Sequence, residues 1–570
     1  MARVWAPHAT RVRLLSDGAE RELAPDPHGT GWWSDDRELA TGARYGFLLD
    51  DATDPLPDPR GLRLPDGVHG LSQVVDPGLF GRTHPSWSGR ELAGSVIYEL
   101  HIGTYTPAGT LNSAIARLDH LVHLGVDFVE LLPVNSFNGA HNWGYDGVAW
   151  FAVDETYGGP EAYARFVDAC HDRNLAVLQD VVYNHLGPSG NYLPHFGPYL
   201  ADEGGNTWGS NVNLGDPEVR RYILDNAQLW MRDYGVDGLR LDAVHALVDT
   251  TPTHLLAELA EETAELETRV GRPLTLIAES DLNDPVMFLP AERNGHGLTA
   301  QWNDDYHHAV HVALTGETHG YYEDFASLAA LAKAATSGFV HDGGYSTFRG
   351  REHGAPIPSD VEPWRLVTFS QDHDQIGNRA AGDRLTHGLS PERLAIGALL
   401  TVASPFTPML FMGEEWAAST PWQFFTAHPE PELGEAVATG RIREFARMGW
   451  DREVVPDPQD PATFERSQLD WSELTEQPHA RILSLYRELI ALRRRESAWT
   501  LATFRDLSAD YDDEAGRFRL HIGELQVAVN LGSGTWDVAG SELLLATSER
   551  VTARPLGVRL PPDTGAILRT

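Results

Sequence analysis

One cysteine, Cys170, is the entire thiol content of these 570 residues, so no intramolecular disulfide can form. That favours a reducing compartment. No uninterrupted apolar run approaches the roughly 18 residues of a membrane-spanning helix. The opening MARVWAPHAT has no basic segment followed by an apolar stretch, so it does not read as a signal peptide. A cytoplasmic protein is the expectation. Basic residues are scarce: Lys and Arg number 44 against 82 Asp and Glu, a formal net charge of −38. Such a surface repels phosphate backbones and anionic lipid, which sets nucleic acid and membranes aside as partners. A neutral ligand meets no such barrier, and the plainest role of the charge is solubility. There is no Walker loop, no G-x-G-x-x-G after a strand, and no HExxH or cysteine-pair motif, so neither a nucleotide cofactor nor a metal is expected. His307, His308 and His311 in DDYHHAVH could present two imidazoles on one helix face. Without matching ligands, structural or substrate-side roles are favoured for them.

The hydrophobic fraction, 42%, is that of a globular chain with a sizeable core. Length suggests about three to four domains, fewer if one is a large α/β barrel. Residues 1–90 read as all-β: ATRVRLL alternates apolar with polar, and ARYGFLL is aromatic-rich. Pro and Gly crowd the stretch from Pro55 to Gly89, as in a connecting segment. From about Ser95, short apolar runs alternate with helical stretches, the signature of parallel βα units. Eight candidate strands begin near Val96, Asp127, Ala176, Gly238, Leu274, Leu298, Leu366 and Phe406. Between them lie amphipathic stretches. LNSAIARLDHLVHLG puts Leu111, Ile115, Leu118, Leu121 and Val122 on one face, and EVRRYILDNAQLWMRDYG is another. Eight units predict an α/β fold, a (β/α)8 TIM barrel over residues 91–498. Residues 499–570 return to β, with RFRLHIG, LQVAVNL, ELLLAT and GVRL as the strands of a C-terminal antiparallel β domain.

Four of the apolar runs end in acidic or amide residues: AVLQDVVYNH, GLRLDAV, LTLIAESD and LVTFSQDHD. They deliver Asp180, Asp242, Glu279 and Asp374. Strand ends from distant parts of a chain meet at one mouth only if the strands run parallel, and a carboxylate cluster there suits acid/base and nucleophilic chemistry. Arg240 and Asp242 share a strand face. An arginine beside a carboxylate keeps it ionised, as a nucleophile requires. A single R-x-D is ordinarily a structural ion pair; four coordinated strand ends reverse that. Glu279, near a second carboxylate and apolar walls, would keep its proton and act as a general acid, although alone it would read as a loop carboxylate. Asp372 and Asp374 would share a face with His373 between them, and a third carboxylate could stabilise developing positive charge. His373 and His185 could donate to substrate hydroxyls, though any one of 25 histidines is ordinarily a satisfied core or surface residue. Trp143, Tyr145, Tyr192, Trp208, Trp302, Tyr306 and Trp416 crowd the presumed loops. Singly each reads as core; placed after strands, they suggest a sugar cleft.

DVVYNH, GLRLDAVHA, IAESD and QDHD resemble, in order, the four diagnostic strand-end regions of the α-amylase superfamily of glycoside hydrolases. The resemblance covers about residues 95–495. It implies Asp242 as nucleophile, Glu279 as general acid/base and Asp374 as third carboxylate. It also implies Arg240, His185 and His373 as neighbours of the reacting sugar, Tyr145 stacked beneath it, and Asp180 and Asn184 as organisers. Trp143, His245 and Gln375 complete the implied substrate contacts. YELHIGTYTPAGT, NWGYDGV, NHLGPSGNYL, AESDLNDP, WNDDYHH and HDQIGNR resemble the branch of the superfamily that releases trehalose from malto-oligosyltrehalose. The implied partner is that α-glucan or a related one, and the implied reaction is hydrolysis with retention. A glycogen branching enzyme is the closest alternative, and a non-catalytic glucan-binding protein a more distant one. VWAPHATRVRL resembles an N-terminal β-sandwich shared within this group. Asp372 departs from the superfamily pattern, which often has Asn there; a second acid would raise the pKa of Asp374.

Overall fold

The computed structural model describes residues 2–79, 87–201, 205, 209–447 and 454–570. Eight parallel strands close into a barrel. In chain order they are β1 Ile97–Leu100, β2 Phe128–Leu131, β3 Ala176–Val181, β4 Gly238–Leu241, β5 Thr275–Ala278, β6 Ala300–Trp302, β7 Leu366–Thr368 and β8 Thr407–Phe411. These are the eight runs read from the sequence. Every residue of every strand is buried. That is why the runs are near-continuously apolar rather than alternating: a barrel strand faces helices outside and packed side chains inside.

Helices wrap the barrel. Helix α1, Leu118–Leu124, follows a separate short helix, Leu111–Ile115. The sequence read these as one helix with Val122 on its buried face. The chain instead turns at Ala116–Arg117, and Val122 is 41% exposed, while Leu118, Leu121 and Leu124 face inward. Helix α2, Gly159–His171, buries Ala162, Tyr163, Phe166, Val167 and Cys170. Helix α3, Pro217–Gln228, starts where the Asp216 side chain accepts from Glu218 N–H. Helix α4, Leu255–Val270, ends at Gly271, whose φ of 71° suits the left-handed cap. The connection from β5 to β6 departs from the expected unit: it contains only short 3-10 turns, Pro285–Met287 and Ala291–Arg293. Helices α5, Asp304–Thr315, α6, Pro391–Val402, and α7, His479–Arg495, complete the ring.

Ahead of the barrel lie two antiparallel sheets, one of three strands and one of four, with Val12, Leu14, Trp33 and Phe47 buried. Trp5 and Phe47 meet Tyr199 and Phe196 edge-on, so this unit leans on the loop that follows β3. Residues 507–569 form a five-stranded and a three-stranded antiparallel sheet, joined through Ala528, Val538, Val558, Leu560 and Leu568. Among the described residues, no helix is long and apolar enough to cross a membrane.

Candidate active site

Strand β4 organises the barrel mouth. Asp180 on β3 and Arg240 on β4 are register partners, so both side chains enter the barrel at one level. The Arg240 guanidinium is fully enclosed. Its Nη1 donates to Asp180 Oδ2 and to Asp242 Oδ1, both at 2.8 Å, and its Nη2 donates to Glu279 Oε2, also at 2.8 Å. Trp302 of β6 packs against the cation, 4.3 Å from ring centre to Cζ. One guanidinium therefore gathers three of the four strand-end carboxylates.

The same cation leaves two of them in opposite states. Burial works to raise the Asp242 carboxyl, but Arg240, His185 and a 2.8 Å hydrogen bond from Asn184 Nδ2 hold it below its ordinary value. Asp242 is an anion. Glu279 goes the other way: burial, with Asp242 and Asp374 as neighbouring negative charges, pushes it well above the carboxylate range despite Arg240. Its Oε2 also accepts from Ala243 N–H at 2.7 Å. Ala243 has φ 40° and ψ 51°, a left-handed conformation uncommon for a residue with a Cβ, and that turn aims the amide at Glu279. Asp180 is pushed up to about 6, chiefly by burial.

Asp374 arrives by another route than expected. β7 ends at Thr368, and residues 373–377 form a short helix for which Asp372 is the N-cap, accepting from Gln375 N–H at 2.6 Å. Asp372 and Asp374 therefore do not share a strand face. Asp372 turns inward and is buried, whereas the Asp374 side chain is 38% exposed and accepts from Asn378 Nδ2 at 3.0 Å. Burial, then the neighbouring Glu99, pushes the Asp372 carboxyl well up.

His373 is clamped from below. Glu99 of β1 lies 2.5 Å from its Nδ1 and accepts from its backbone N–H at 3.0 Å. On the other side, Nε2 is 2.9 Å from the Tyr145 hydroxyl, which donates to Asp180 Oδ2 at 2.7 Å. The Tyr145 and His373 rings stack at 5.2 Å. Burial opposes the imidazolium, but Glu99 and Asp374 outweigh it and lift the pKa well above the ordinary range. His185 Nε2 sits 3.0 Å from the Tyr145 carbonyl, and its Nδ1 2.7 Å from Asn184 Oδ1. His245 accepts from Asp281 N–H at 3.4 Å, beside Glu279. Gln375 donates to Asp304 at 3.3 Å.

Other candidates are placed elsewhere. Trp143 is buried behind His373, stacked on Trp422 at 5.1 Å, so it is a wall of the site rather than an open platform. Trp302, Tyr306 and Trp416 are core, against the expectation of a lined cleft. Tyr192 is half-buried, its hydroxyl 2.6 Å from His69 Nδ1. Trp208 lies outside the described residues. Burial keeps His307 and His308 neutral, the latter pushed down to about 3, and His311 pairs with Glu317 at 2.8 Å. Among the described residues, no group of three or more His, Cys, Asp and Glu is arranged to hold a metal ion.

Three residues escaped sequence reasoning. Glu99 and Glu130 are register partners on β1 and β2, and neither carboxyl oxygen of Glu130 has a hydrogen-bond partner among the described residues. Burial beside Glu99 pushes Glu130 well up, so it is neutral. Asp304, at the start of α5, is pushed up to about 7 by burial and by Asp374. Their signal was a charge inside the apolar runs YELH and VELLP, and an acid directly after the sixth strand.

Residues 76–195 match the family model described as "Alpha amylase, catalytic domain". The malto-oligosyltrehalose trehalohydrolase of Rhizobium sp. (strain M-11) is 58% identical, covering 99% of this chain and 97% of that protein. The malto-oligosyltrehalose trehalohydrolase of Arthrobacter ramosus is 56% identical, covering 99% of each. The chain belongs to the malto-oligosyltrehalose trehalohydrolase family. A 1.4 Å crystal structure of a Salmonella typhimurium protein, provisionally described as an alpha amylase, is similar at 35% identity with a TM-score of 0.91, covering 100% of this chain and 97% of that one. As a member of the trehalohydrolase family the chain is a glycoside hydrolase, and its barrel carries an anionic aspartate and a protonated glutamate on one arginine.

Proposed function

We propose that this enzyme hydrolyses, with retention, the α-1,4-glucosidic bond next to the terminal trehalose of a malto-oligosyltrehalose, releasing trehalose and a malto-oligosaccharide. One observation carries the reading: Arg240 binds both Asp242 and Glu279 while leaving the first ionised and the second protonated. Two carboxyls in opposite states divide the roles of nucleophile and acid. Being tied to the two terminal nitrogens of one guanidinium keeps them close, as in a retaining pair, for which about 5–5.5 Å is usual.

In the first step Glu279 gives its proton to the glycosidic oxygen as Asp242 bonds to the anomeric carbon. The bond to the trehalose breaks, and a glycosyl ester on Asp242 remains. In the second step the Glu279 carboxylate takes a proton from water, whose oxygen attacks the same carbon and frees Asp242. Asp374, open at the mouth, stabilises positive charge on the ring in both transition states. Tyr145, His185 and His373 surround the reacting sugar; Asp180 and Asn184 hold the machinery. Trp143 supports His373 from behind. His245 and Gln375 flank the acid and the third carboxylate. We assign the catalytic unit to residues 91–498, with β domains at 1–90 and 499–570. A cytoplasmic location fits the lone buried cysteine.

Product analysis tests the reading. The enzyme should release trehalose from maltotriosyltrehalose and leave maltopentaose nearly unchanged. Comparable cleavage of both would make it a general α-1,4-glucanase; inertness toward both, with altered starch-iodine spectra after incubation with amylose, would make it a branching enzyme. Asp242→Asn should lower turnover by at least ~10³-fold with the fold intact by circular dichroism. Near-normal turnover in that variant would remove Asp242 from the nucleophile's role.

A further inference from the structure

Asp304 stands at the barrel mouth with one carboxyl oxygen unused. It follows β6 directly, at the start of α5. Gln375 Nε2 donates to its Oδ1 at 3.3 Å, a long hydrogen bond. Oδ2 has no hydrogen-bond partner among the described residues, yet it is not enclosed: the side chain is half-buried and this oxygen keeps surface open to solvent. The acids on either side of it are committed. Asp281 accepts from Arg349 at 3.0 Å. Asp305 accepts from Asn283 Nδ2 at 2.9 Å and from the Val340 and His341 amides at 2.8 Å.

Position decides what reaches the open oxygen. Around the closed barrel, β6 stands four strands from β2 in either direction, directly across the mouth. The connection after β2 carries Tyr145, and Tyr145 with His185 and His373 surrounds the reacting sugar. On the far side, β5 brings Glu279 and the short helix after β7 brings Asp374. Asp374 is the charge that acts most on Asp304. Glu279 protonates the oxygen between the reacting sugar and the leaving group. With the reacting sugar toward Tyr145, the leaving group extends past Glu279 toward β6, where Asp304 waits.

A sugar hydroxyl suits this carboxyl. Burial and Asp374 bring it to about 7, so near neutrality it is available both to donate and to accept. An anionic group would meet Asp281, Asp305 and Asp374 together, which a neutral hydroxyl does not suffer from. A polar group placed to bond one hydroxyl also selects, because a leaving group without that hydroxyl leaves it unpaired.

We propose that Asp304 is a specificity-determining residue whose Oδ2 hydrogen-bonds a hydroxyl of the departing trehalose. The proposal rests on the proposed function, which makes trehalose the leaving group.

Trehalose and maltotriose, the two products of maltotriosyltrehalose, probe the two sides of the cleft separately. Their inhibition constants are measured during hydrolysis of maltotriosyltrehalose by the full-length parent, Asp304→Ala and Asp304→Asn. Asp304→Ala should weaken inhibition by trehalose about tenfold and leave that by maltotriose within about twofold. Asp304→Asn keeps an acceptor and a donor at this position and should stay within about threefold of the parent for both sugars. Unchanged trehalose inhibition in Asp304→Ala would overturn the proposal. So would an equal loss for trehalose and maltotriose, which marks a structural role. If the parent releases trehalose and either of these results follows, the inference falls and the proposed function stands. A parent that releases no trehalose from maltotriosyltrehalose would remove the proposed function and this inference with it.

Discussion

At the scale of single residues, the site is governed by charges that are buried yet paired. Arg240 can be enclosed because three carboxyl groups surround it, Asp242 among them as an anion, and they stay near it because the strands bring them to one level. Glu99 does for His373 what Arg240 does for Asp242. It accepts from both Nδ1 and the backbone, while Nε2 faces a tyrosine hydroxyl that is itself donating. Both ring nitrogens thus face acceptors, which favours the imidazolium. Glu99→Gln removes the negative charge and should move the alkaline limb of the kcat/KM profile to lower pH, while Glu99→Asp should restore much of it. A uniform loss of activity at every pH would reduce Glu99 to a packing role.

Asp304 offers a stability counterpart. Its folded value is about 7, above the ordinary 3.8. A carboxyl raised on folding favours the folded state most when both states are protonated, below about pH 4, and that contribution is lost as pH climbs through about 7. Asp304→Asn does not titrate. The variant should gain thermal stability over the parent as pH rises, with little difference near about pH 4 and the largest above about pH 7. Calorimetric Tm values across that window check it; a constant difference would mean that Asp304 is not the titrating group.

At the scale of elements, the barrel was legible because each strand is a short, fully buried run ending in polar residues. Closure follows from eight such runs, and the positions of Asp180, Asp242 and Glu279 follow from strand ends. Asp374 was legible as a member of the cluster but not in its geometry, because SQDHD continues the strand in composition. The ladder in fact stops at Thr368, and Asp372, as an N-cap, starts a short helix that carries Asp374 out of the strand direction. Glu99 and Glu130 were hidden for a related reason. A charge within a strand reads as a solvent-facing position, and only barrel closure turns it into a buried floor. Trp143 was misread because its partners are remote; its indole N–H donates to Gln423, 280 residues away. Strand packing gives its own test at Gly238. A Cβ there would come within 2.1 Å of the Thr275 carbonyl on β5 and 2.9 Å of Leu178 on β3. Gly238→Ala must push β4 away from its neighbours, two residues before Arg240. A loss of roughly 1–3 kcal/mol by denaturant unfolding is expected, with turnover falling at temperatures where the variant is still folded. A variant that unfolds earlier but turns over normally would separate strand packing from the alignment of Arg240.

At the scale of the whole molecule, the excess of acid shapes behaviour more than any one pair. The chain carries 82 acidic and 44 basic side chains. Many of the arginines are already committed: Arg240 and Arg493 are buried among carboxylates or carbonyls, and Arg569 meets Glu496, Glu524 and Glu542 at the C-terminal sheet. The acids left over repel one another across the surface, and that repulsion opposes the compact state. Salt shortens its reach from about 30 Å at 0.01 M to about 8 Å at 0.15 M. Screening would also weaken exposed ion pairs, but each of these contributes only about 0–1 kcal/mol. With acids outnumbering bases almost two to one, relief of repulsion should win. Tm should rise as sodium chloride is added from about 0.01 to 0.15 M, at fixed pH. The buried Arg240 cluster is screened far less, so the pH profile of turnover should stay in place over the same range. A falling Tm would mean that surface pairing, not net charge, dominates the stability of this chain.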